Sequence, residues 1–348
     1  AYGTTLLADL GADVLKIETF AGDGFRQNGA AFQGWNQGKR GMILNLKDTK
    51  GLDIFHQLVR DADVVAENYR GGIAANLGVD YKSLRKVNPK IIYSTVNGYG
   101  LTGPFSDYPA FDPLIQAQGG AMKDQGGSGD PVFLRIAASD YSSAILSAYG
   151  IVSALYYRSR HNKGQHVEIS LVNAAFAYQA AEYFNYPDKP AKPRLASVGQ
   201  SVDYRLYKAE DGWFFLSCKE DIEWNKMCHA LGMPDLAIHN KESRAENQDV
   251  LNQKLESLFI NSPVSVWIDI FRKSGVKCAV NKSLRVIHDD PQAHSLGLIT
   301  ENDSYNLGRI KLQGLPFRFS RTPGKLDLAA PDHGEHTDQV LRELGFLK

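Results

Sequence analysis

Apolar residues in the first hundred positions fall into short blocks of two alternating kinds. Between Gly51 and Arg60 the residues Leu52, Phe55, Leu58 and Val59 recur at helical spacing. Asp13-Val-Leu-Lys-Ile17, Asp63-Val-Val-Ala66 and Ile91-Ile-Tyr-Ser-Thr-Val96 are instead short β-branched runs that read as strands. A short helix is predicted from Tyr81 to Val87. It stops at Asn88-Pro89, because the residue before a proline is driven out of the α region. Strands and helices alternating at this spacing predict an α/β fold with a parallel, doubly wound sheet.

Ligands of such sheets bind off the carboxyl ends of the strands, so the segments leaving those ends matter most. They run from Glu18 through Gly22 and Gly24 to Arg26, from Glu67 through Asn68, Tyr69 and Arg70 to Gly72, and from Asn97 to Pro104. All three are rich in glycine, amide and aromatic residues, which suits backbone that approaches a nucleotide-like ligand. None carries GxGxxG after a strand or GxxxxGK[ST], which disfavours a dinucleotide cofactor and a P-loop NTPase.

A long helical run from Ser139 to Arg158 follows, with small residues at Ser142, Ser143, Ala144, Ser147, Ala148, Gly150, Ser153 and Ala154. These let neighbouring backbone pack close to the helix. Asp140 stands in its first turn, where free N–H groups and the positive end of the macrodipole are expected to keep a carboxylate ionised. By residue type alone Asp140 is a cap; an ionised carboxylate there is also a candidate nucleophile. A strand from His166 to Leu171 and an aromatic helix from Asn173 to Phe184 come next. Pro187, Pro190 and Pro193 then mark a connector. Past Asp203 the pattern changes to a strand over Trp213 to Ser217 and helices near Trp224 to Leu231, Gln248 to Phe259 and Val264 to Ser274, a second, smaller α+β domain.

Composition narrows the partners. The 348 residues carry 39 basic and 39 acidic side chains, with no basic tract, so nucleic acid and anionic membranes are not expected partners. No apolar run approaches the roughly 18 residues of a membrane span. Cys218, Cys228 and Cys278 match no CxxC pairing; they fit a reducing, cytoplasmic setting and buried apolar roles. The chain opens at Ala1, without a Met or signal-peptide pattern, directly into a helical segment ended by Gly11. Since α/β domains normally begin with a strand, a preceding segment is expected.

The residues then identify a family. Leu7-Ala-Asp-Leu-Gly-Ala-Asp-Val-Leu-Lys-Ile-Glu18, Gly38-Lys-Arg40, Asn97-Gly-Tyr-Gly-Leu-Thr-Gly-Pro104 and Pro109-Ala-Phe-Asp112 resemble the class III CoA-transferases. That family includes formyl-CoA transferase and carnitine CoA-transferase, with α-methylacyl-CoA racemase as a divergent branch. The match continues through Asp140, Lys163-Gly-Gln165, Val276 to Ser283 and Asp290-Pro-Gln-Ala293. It closes on His333-Gly-Glu-His-Thr337 and Leu344-Gly345, covering essentially the whole chain.

The resemblance implies a Rossmann-like large domain over 1–185, a small domain over 203–300 and a C-terminal return to the large domain over 318–348, in an interlocked homodimer. It implies an acyl-CoA:carboxylate CoA-transferase in which Asp140 is the nucleophile, working through an aspartyl anhydride and an aspartyl-CoA thioester. Acyl-CoA and a carboxylic acid acceptor would be the substrates, with coenzyme A no resident cofactor. Leu44-Asn45-Leu46-Lys47 and Asn68-Tyr69-Arg70 match the family's CoA-contacting segments. Arg26, Lys39 and Arg40 are further candidate phosphate partners, and Phe111 and Asp112 are candidates beside them.

Thr19 stands where formyl-CoA transferase carries an Arg, and that enzyme's Gly-rich loop has no counterpart between Pro193 and Tyr207, so the acid pair stays open. The rival readings are a racemase-like enzyme and a non-catalytic acyl-CoA-binding half of a larger protein. Phe111, where the racemase branch has a His, cannot carry a proton. His333 and His336 read as structural, with Thr337 as an N-cap, and no metal is expected.

Overall fold

The computed structural model describes residues 1–127, 129–188, 198–304, 307–326 and 328–348. They form two compact units. One comprises Ala1–Ala121, Phe133–Phe184 and His288–Lys348; the other comprises Met122–Val132 and Asn185–Ile287. Pro190 and Pro193 of the expected connector lie outside the described residues.

In the first unit the β-branched runs pair in parallel, giving a mixed α/β fold. Strand β1 (Leu15–Glu18) lies beside β2 (Arg40–Ile43). Strand β4 (Ile92–Asn97) is central between β3 (Val64–Glu67) and β5 (His166–Ser170). Helices Thr49–Asp61 and Tyr81–Val87 occupy the predicted positions, and Phe55, Val59 and Leu84 join Met42, Ile91 and Tyr93 in one core. Asn88 ends the second of these helices. Its Nδ2 donates to the carbonyls of Val59 at 3.0 Å and Ala62 at 2.9 Å, tying the two helix ends together.

Helix Thr337–Glu343 adds Val340 to this core. Thr337 does not cap it, contrary to expectation. The capping position belongs to His336, and the Thr337 hydroxyl accepts the Ile43 N–H at 3.1 Å, holding the helix to β2. His336 Nδ1 accepts the Gly41 N–H at 3.2 Å, and His333 Nε2 meets the Thr19 carbonyl at 3.0 Å. The unit also contains an antiparallel ribbon of β10 (Ile299–Ser304) and β11 (Gly308–Gln313).

One crossover positions the site. The helix Ala138–His161 connects β4 to its parallel neighbour β5, so it must run back against the strand direction. Arg158, near its end, bonds the carbonyls of Asp63 and Lys90 at the amino ends of β3 and β4. Its beginning, with Asp140, therefore lies toward the carboxyl ends. The small residues act as expected: a Cβ on Gly3 would stand 2.5 Å from the Ala144 oxygen, and one on Gly150 would stand 2.7 Å from Val167 Cγ1. Ser147 and Ser94 share a buried hydroxyl bond of 3.0 Å between helix and β4. Asn162 ends the helix in the left-handed conformation, with φ 55°.

In the second unit an antiparallel sheet orders β6 (Gly199–Ser201), β7 (Tyr204–Lys208), β8 (Trp213–Ser217) and β9 (Lys277–Val280). Helices Asp221–Ala230, Gln248–Phe259 and Val264–Lys273 cover a core of Trp224, Phe214, Phe259 and Phe271. Cys218 and Cys228 are free thiols in that core, and Cys278 is half-buried. Burial pushes the Cys228 thiol up to about 12, so it stays neutral and inert. Arg244 is buried here, with Nε on Asp203 at 2.9 Å, Nη1 on Asp221 at 2.6 Å and Nη2 on the Lys219 carbonyl at 2.7 Å. Arg244→Ala strands the buried Asp203 carboxylate and is expected to cost about 3–5 kcal/mol. Urea denaturation measures this; a loss below about 1 kcal/mol would show the pair to be dispensable.

Candidate active site

The loop after β4 is shaped by a close approach. A Cβ on Gly98 would stand 2.1 Å from the Ala110 methyl, so only glycine lets the Asn97-Gly-Tyr-Gly segment lie on Pro109-Ala-Phe-Asp112. Asn97 Oδ1 accepts the Gly100 N–H at 2.6 Å, closing the turn, and Gly100 has φ 97°. The chain then enters the helix Asp112–Gln118.

Asp112 is buried. Its Oδ1 accepts the backbone N–H groups of Ser139 at 2.7 Å and Asp140 at 3.3 Å, while Oδ2 accepts from Gln116 Nε2. Gln116 is wholly buried, and its Nε2 also reaches the carbonyls of Leu134 and Ile136, each at 3.2 Å. The carboxylate that caps the Asp140 helix is therefore Asp112, from another helix. Asp140 is not the cap. Asp112, a candidate coenzyme contact by sequence, is buried and committed to the helix N-terminus.

The first turn differs from expectation in a second respect. Ala138 N–H donates to Ile136 O at 2.8 Å and Tyr141 N–H to Ala137 O at 3.0 Å. With Ser139 and Asp140 held by Asp112, these four N–H groups are all engaged, so the turn holds no free donors for an oxyanion. The Asp140 carboxylate itself has no hydrogen bond or ion pair among the described residues. It is open to solvent on one side and crowded by protein on the others. That crowding, helped by the Asp112 charge, pushes its pKa up to about 6. The helix end does not hold it low, because the N–H groups that would do so are bonded to Asp112. Beside it, Trp35 Nε1 donates to the Tyr141 hydroxyl at 3.1 Å. Phe111, next to Asp112, is 71% exposed.

The candidate phosphate cations divide into two groups. Lys39 is buried, and its ammonium donates to the carbonyls of Ala1 and Trp35, both at 2.9 Å, and to Asn36 Oδ1 at 3.0 Å. Its three N–H groups are thus taken up, and burial lowers its pKa to about 7. Arg26 forks onto Glu18 at 2.9 and 2.6 Å and packs over the Phe32 ring. Arg40 forks onto Asp13 at 2.9 and 2.7 Å and also bonds Glu343. Arg26, Lys39 and Arg40, the candidate phosphate partners by sequence, thus each hold internal partners. Leu44 is a core residue.

Asn45, Lys47, Asn68, Tyr69 and Arg70 remain exposed after the carboxyl ends of β2 and β3. Lys47 and Arg70 have no ion-pair partner among the described residues. The Tyr69 segment is anchored by a network the sequence reading missed. Glu67 Oε2 accepts the Tyr69 N–H at 2.6 Å, Oε1 accepts from Thr95 at 2.7 Å, and Thr95 meets His166 Nε2 at 2.9 Å. The alternation of Glu67, Thr95 and His166 on adjacent strands was its one available signal.

Among the described residues, no group of three or more His, Cys, Asp or Glu could hold a metal ion, and no helix is long and apolar enough to cross a membrane. Of the segment between Pro193 and Tyr207, which lacks a Gly-rich loop by sequence, residues 193–197 lie outside the described residues.

The fold recurs in known proteins. A CAIB/BAIF family protein from Brucella suis matches with a TM-score of 0.88 and 30% identity, over 99% of this chain and 94% of that one. The chain is 32% identical over 337 residues to the acetyl-CoA:oxalate CoA-transferase of Acetobacter aceti, covering 92% of this chain and 85% of that protein. It is 31% identical over 367 residues to the succinate–glutarate CoA-transferase of Agrobacterium fabrum, covering 99% and 91%. Residues 1–337 match the family model described as CoA-transferase family III. The chain belongs to that family and is a CoA-transferase.

The capping geometry makes a stability prediction. Asp140→Ala removes no bonded group and is expected to change stability by less than about 0.5 kcal/mol. Asp112→Ala removes the cap and is expected to cost about 1–2 kcal/mol. Equal losses in urea denaturation would contradict the assignment of the cap.

Proposed function

We propose that the enzyme moves coenzyme A between carboxylic acids with Asp140 as the covalent nucleophile. The observation that carries this reading is the unbonded Asp140 carboxylate, held on a rigid helix at the carboxyl ends of the parallel strands and raised in basicity. A carboxylate Oδ attacks the thioester carbonyl, the C–S bond breaks, and CoA leaves as thiolate, giving an aspartyl anhydride. The thiolate attacks the aspartyl carbonyl, releasing the donor acid and forming an aspartyl-CoA thioester. The acceptor carboxylate attacks that carbonyl in turn, and the freed thiolate takes the acceptor's acyl group, restoring Asp140. Every step conserves charge and needs no redox partner.

Asn45, Lys47, Asn68, Tyr69 and Arg70 are the proposed coenzyme contacts, since two unpaired cations and a half-exposed ring suit phosphates and adenine. Phe111 is proposed to wall the acyl site. A phenyl ring cannot take an α-proton, which favours transfer over racemisation. Relatives named for oxalate, succinate and glutarate make small dicarboxylic acids the first acceptors to assay. The proposed setting is the cytoplasm, and the proposed frame of the first unit is Rossmann-like.

Two experiments test the reading. Acyl-CoA incubated with enzyme and hydroxylamine is expected to leave a hydroxamate on the Asp140 peptide, and Asp140→Asn is expected to lose acid exchange at least about 10³-fold, because an amide cannot form the anhydride. Modification elsewhere, or an active Asp140→Asn, would remove Asp140 from the reaction. Incubation of a chiral 2-methylacyl-CoA in heavy water without acceptor is expected to leave the α-carbon undeuterated; deuterium entering at catalytic rate would favour the racemase reading.

We also propose a homodimer. Its support is an apolar stripe on the Asp140 helix, Ile145, Tyr149, Val152 and Tyr156, each more than half exposed and on one face by helical spacing. An interlocked pair buries on the order of several thousand Å². Sedimentation at nanomolar concentration is expected to show dimer; a compact folded monomer would refute it.

A further inference from the structure

We propose that Asp112 is a positioning residue for Asp140. By occupying the N–H donors of the Asp140 helix from a second helix, it leaves the Asp140 carboxylate unbonded at the site of attack. The inference rests on the reading of Asp140 as nucleophile.

A carboxylate in the first turn of a long helix ordinarily accepts the turn's free N–H groups and is stabilised by the positive helix end. Both effects weaken it as a nucleophile, since they stabilise the anion that must attack. Here both are diverted. Asp112 Oδ1 takes the N–H groups of Ser139 and Asp140, and its negative charge sits where it opposes the helix dipole. The loop turn that delivers Asp112 is fixed by the contact between Gly98 and Ala110. Gln116, one helical turn on, binds Asp112 and grips the carbonyls of Leu134 and Ile136. Residues 134–140 are therefore clamped at four residues, Leu134, Ile136, Ser139 and Asp140, from one short helix, which sets where Asp140 emerges.

The charge effect has a sign that can be measured. The charged side chain acting on Asp140 is Asp112, which raises its pKa. β4, β5 and helix Leu171–Tyr178 also pack on this helix; the acidic and basic side chains they carry, Glu168 and His166, both on β5, are not among the groups that shift Asp140. Crowding is the larger cause of the shift and Asp112 the next. Attack needs the ionised form, so activity is expected to fall as pH drops through about 6.

Asp112→Asn keeps an oxygen for the two N–H groups and removes the charge. The acidic limb of its kcat/KM profile is expected to move down by about 0.5 unit or more, while crowding keeps it above an ordinary aspartate. At neutral pH kcat is expected to fall at least about tenfold, with KM for acyl-CoA within about threefold. Asp112→Ser, a short neutral cap, provides the same test if the Asn variant does not fold. Gln116→Met keeps the charge and loosens the clamp, so kcat is expected to fall with the limb unmoved. A folded Asp112→Asn or Asp112→Ser with the limb and kcat of wild type would overturn the inference. An active Asp140→Asn would instead overturn the nucleophile on which it rests.

Discussion

The two N–H···O bonds from Ser139 and Asp140 to the Asp112 carboxylate hold the candidate site of this enzyme together. A helix of 24 residues begins with backbone donors that need acceptors, and its own first turn supplies no side-chain cap. A buried charge on another helix supplies the acceptor. That carboxylate would be costly to bury unpaired. It is stable because the helix end and Gln116 satisfy both its oxygens. One interaction thus joins the loop after β4, the segment leading into the long helix, and the candidate nucleophile.

Close backbone approaches make that junction stiff. Gly3 against Ala144, Gly150 against Val167 and Gly98 against Ala110 each leave no room for a β-carbon. Long helices pinned this way on two sides move little, and a rigid mount is what a nucleophile needs when its substrate is bulky and bound largely elsewhere. The polar contacts in the same layer, such as Ser94 with Ser147, fix the sliding register of helix on strand, which apolar packing alone leaves loose.

Local periodicity made most of the first unit legible in the sequence. The strand of Leu15, Lys16 and Ile17, the amphipathic helix of Phe55 and Val59, and the stop at Asn88-Pro89 are each determined by neighbours within a few residues. The small-residue pattern of the Asp140 helix correctly announced close packing. Its cap was not legible, because Asp112 lies 28 residues away and meets the helix only through the fold. Thr337 failed as a cap for the same reason: a distant strand, through Ile43, claims its hydroxyl.

The cations show the same division between local and non-local information. Arg26, Lys39 and Arg40 looked like phosphate partners because basic residues near strand ends are the right type in the right place. Their carboxylate and carbonyl acceptors include Glu18, Asp13, Glu343 and Ala1, residues outside the local periodicity that the fold brings within reach. A guanidinium already forked onto a buried carboxylate would have to break that pair to bind a phosphate, leaving Glu18 charged and unpaired. Lys47 and Arg70 face no such cost. Electrostatics therefore separates cations that build the frame from cations available to a ligand. The sequence offered only their shared sign, and the accessible, unpaired members of the set are Lys47 and Arg70 on the loops after β2 and β3.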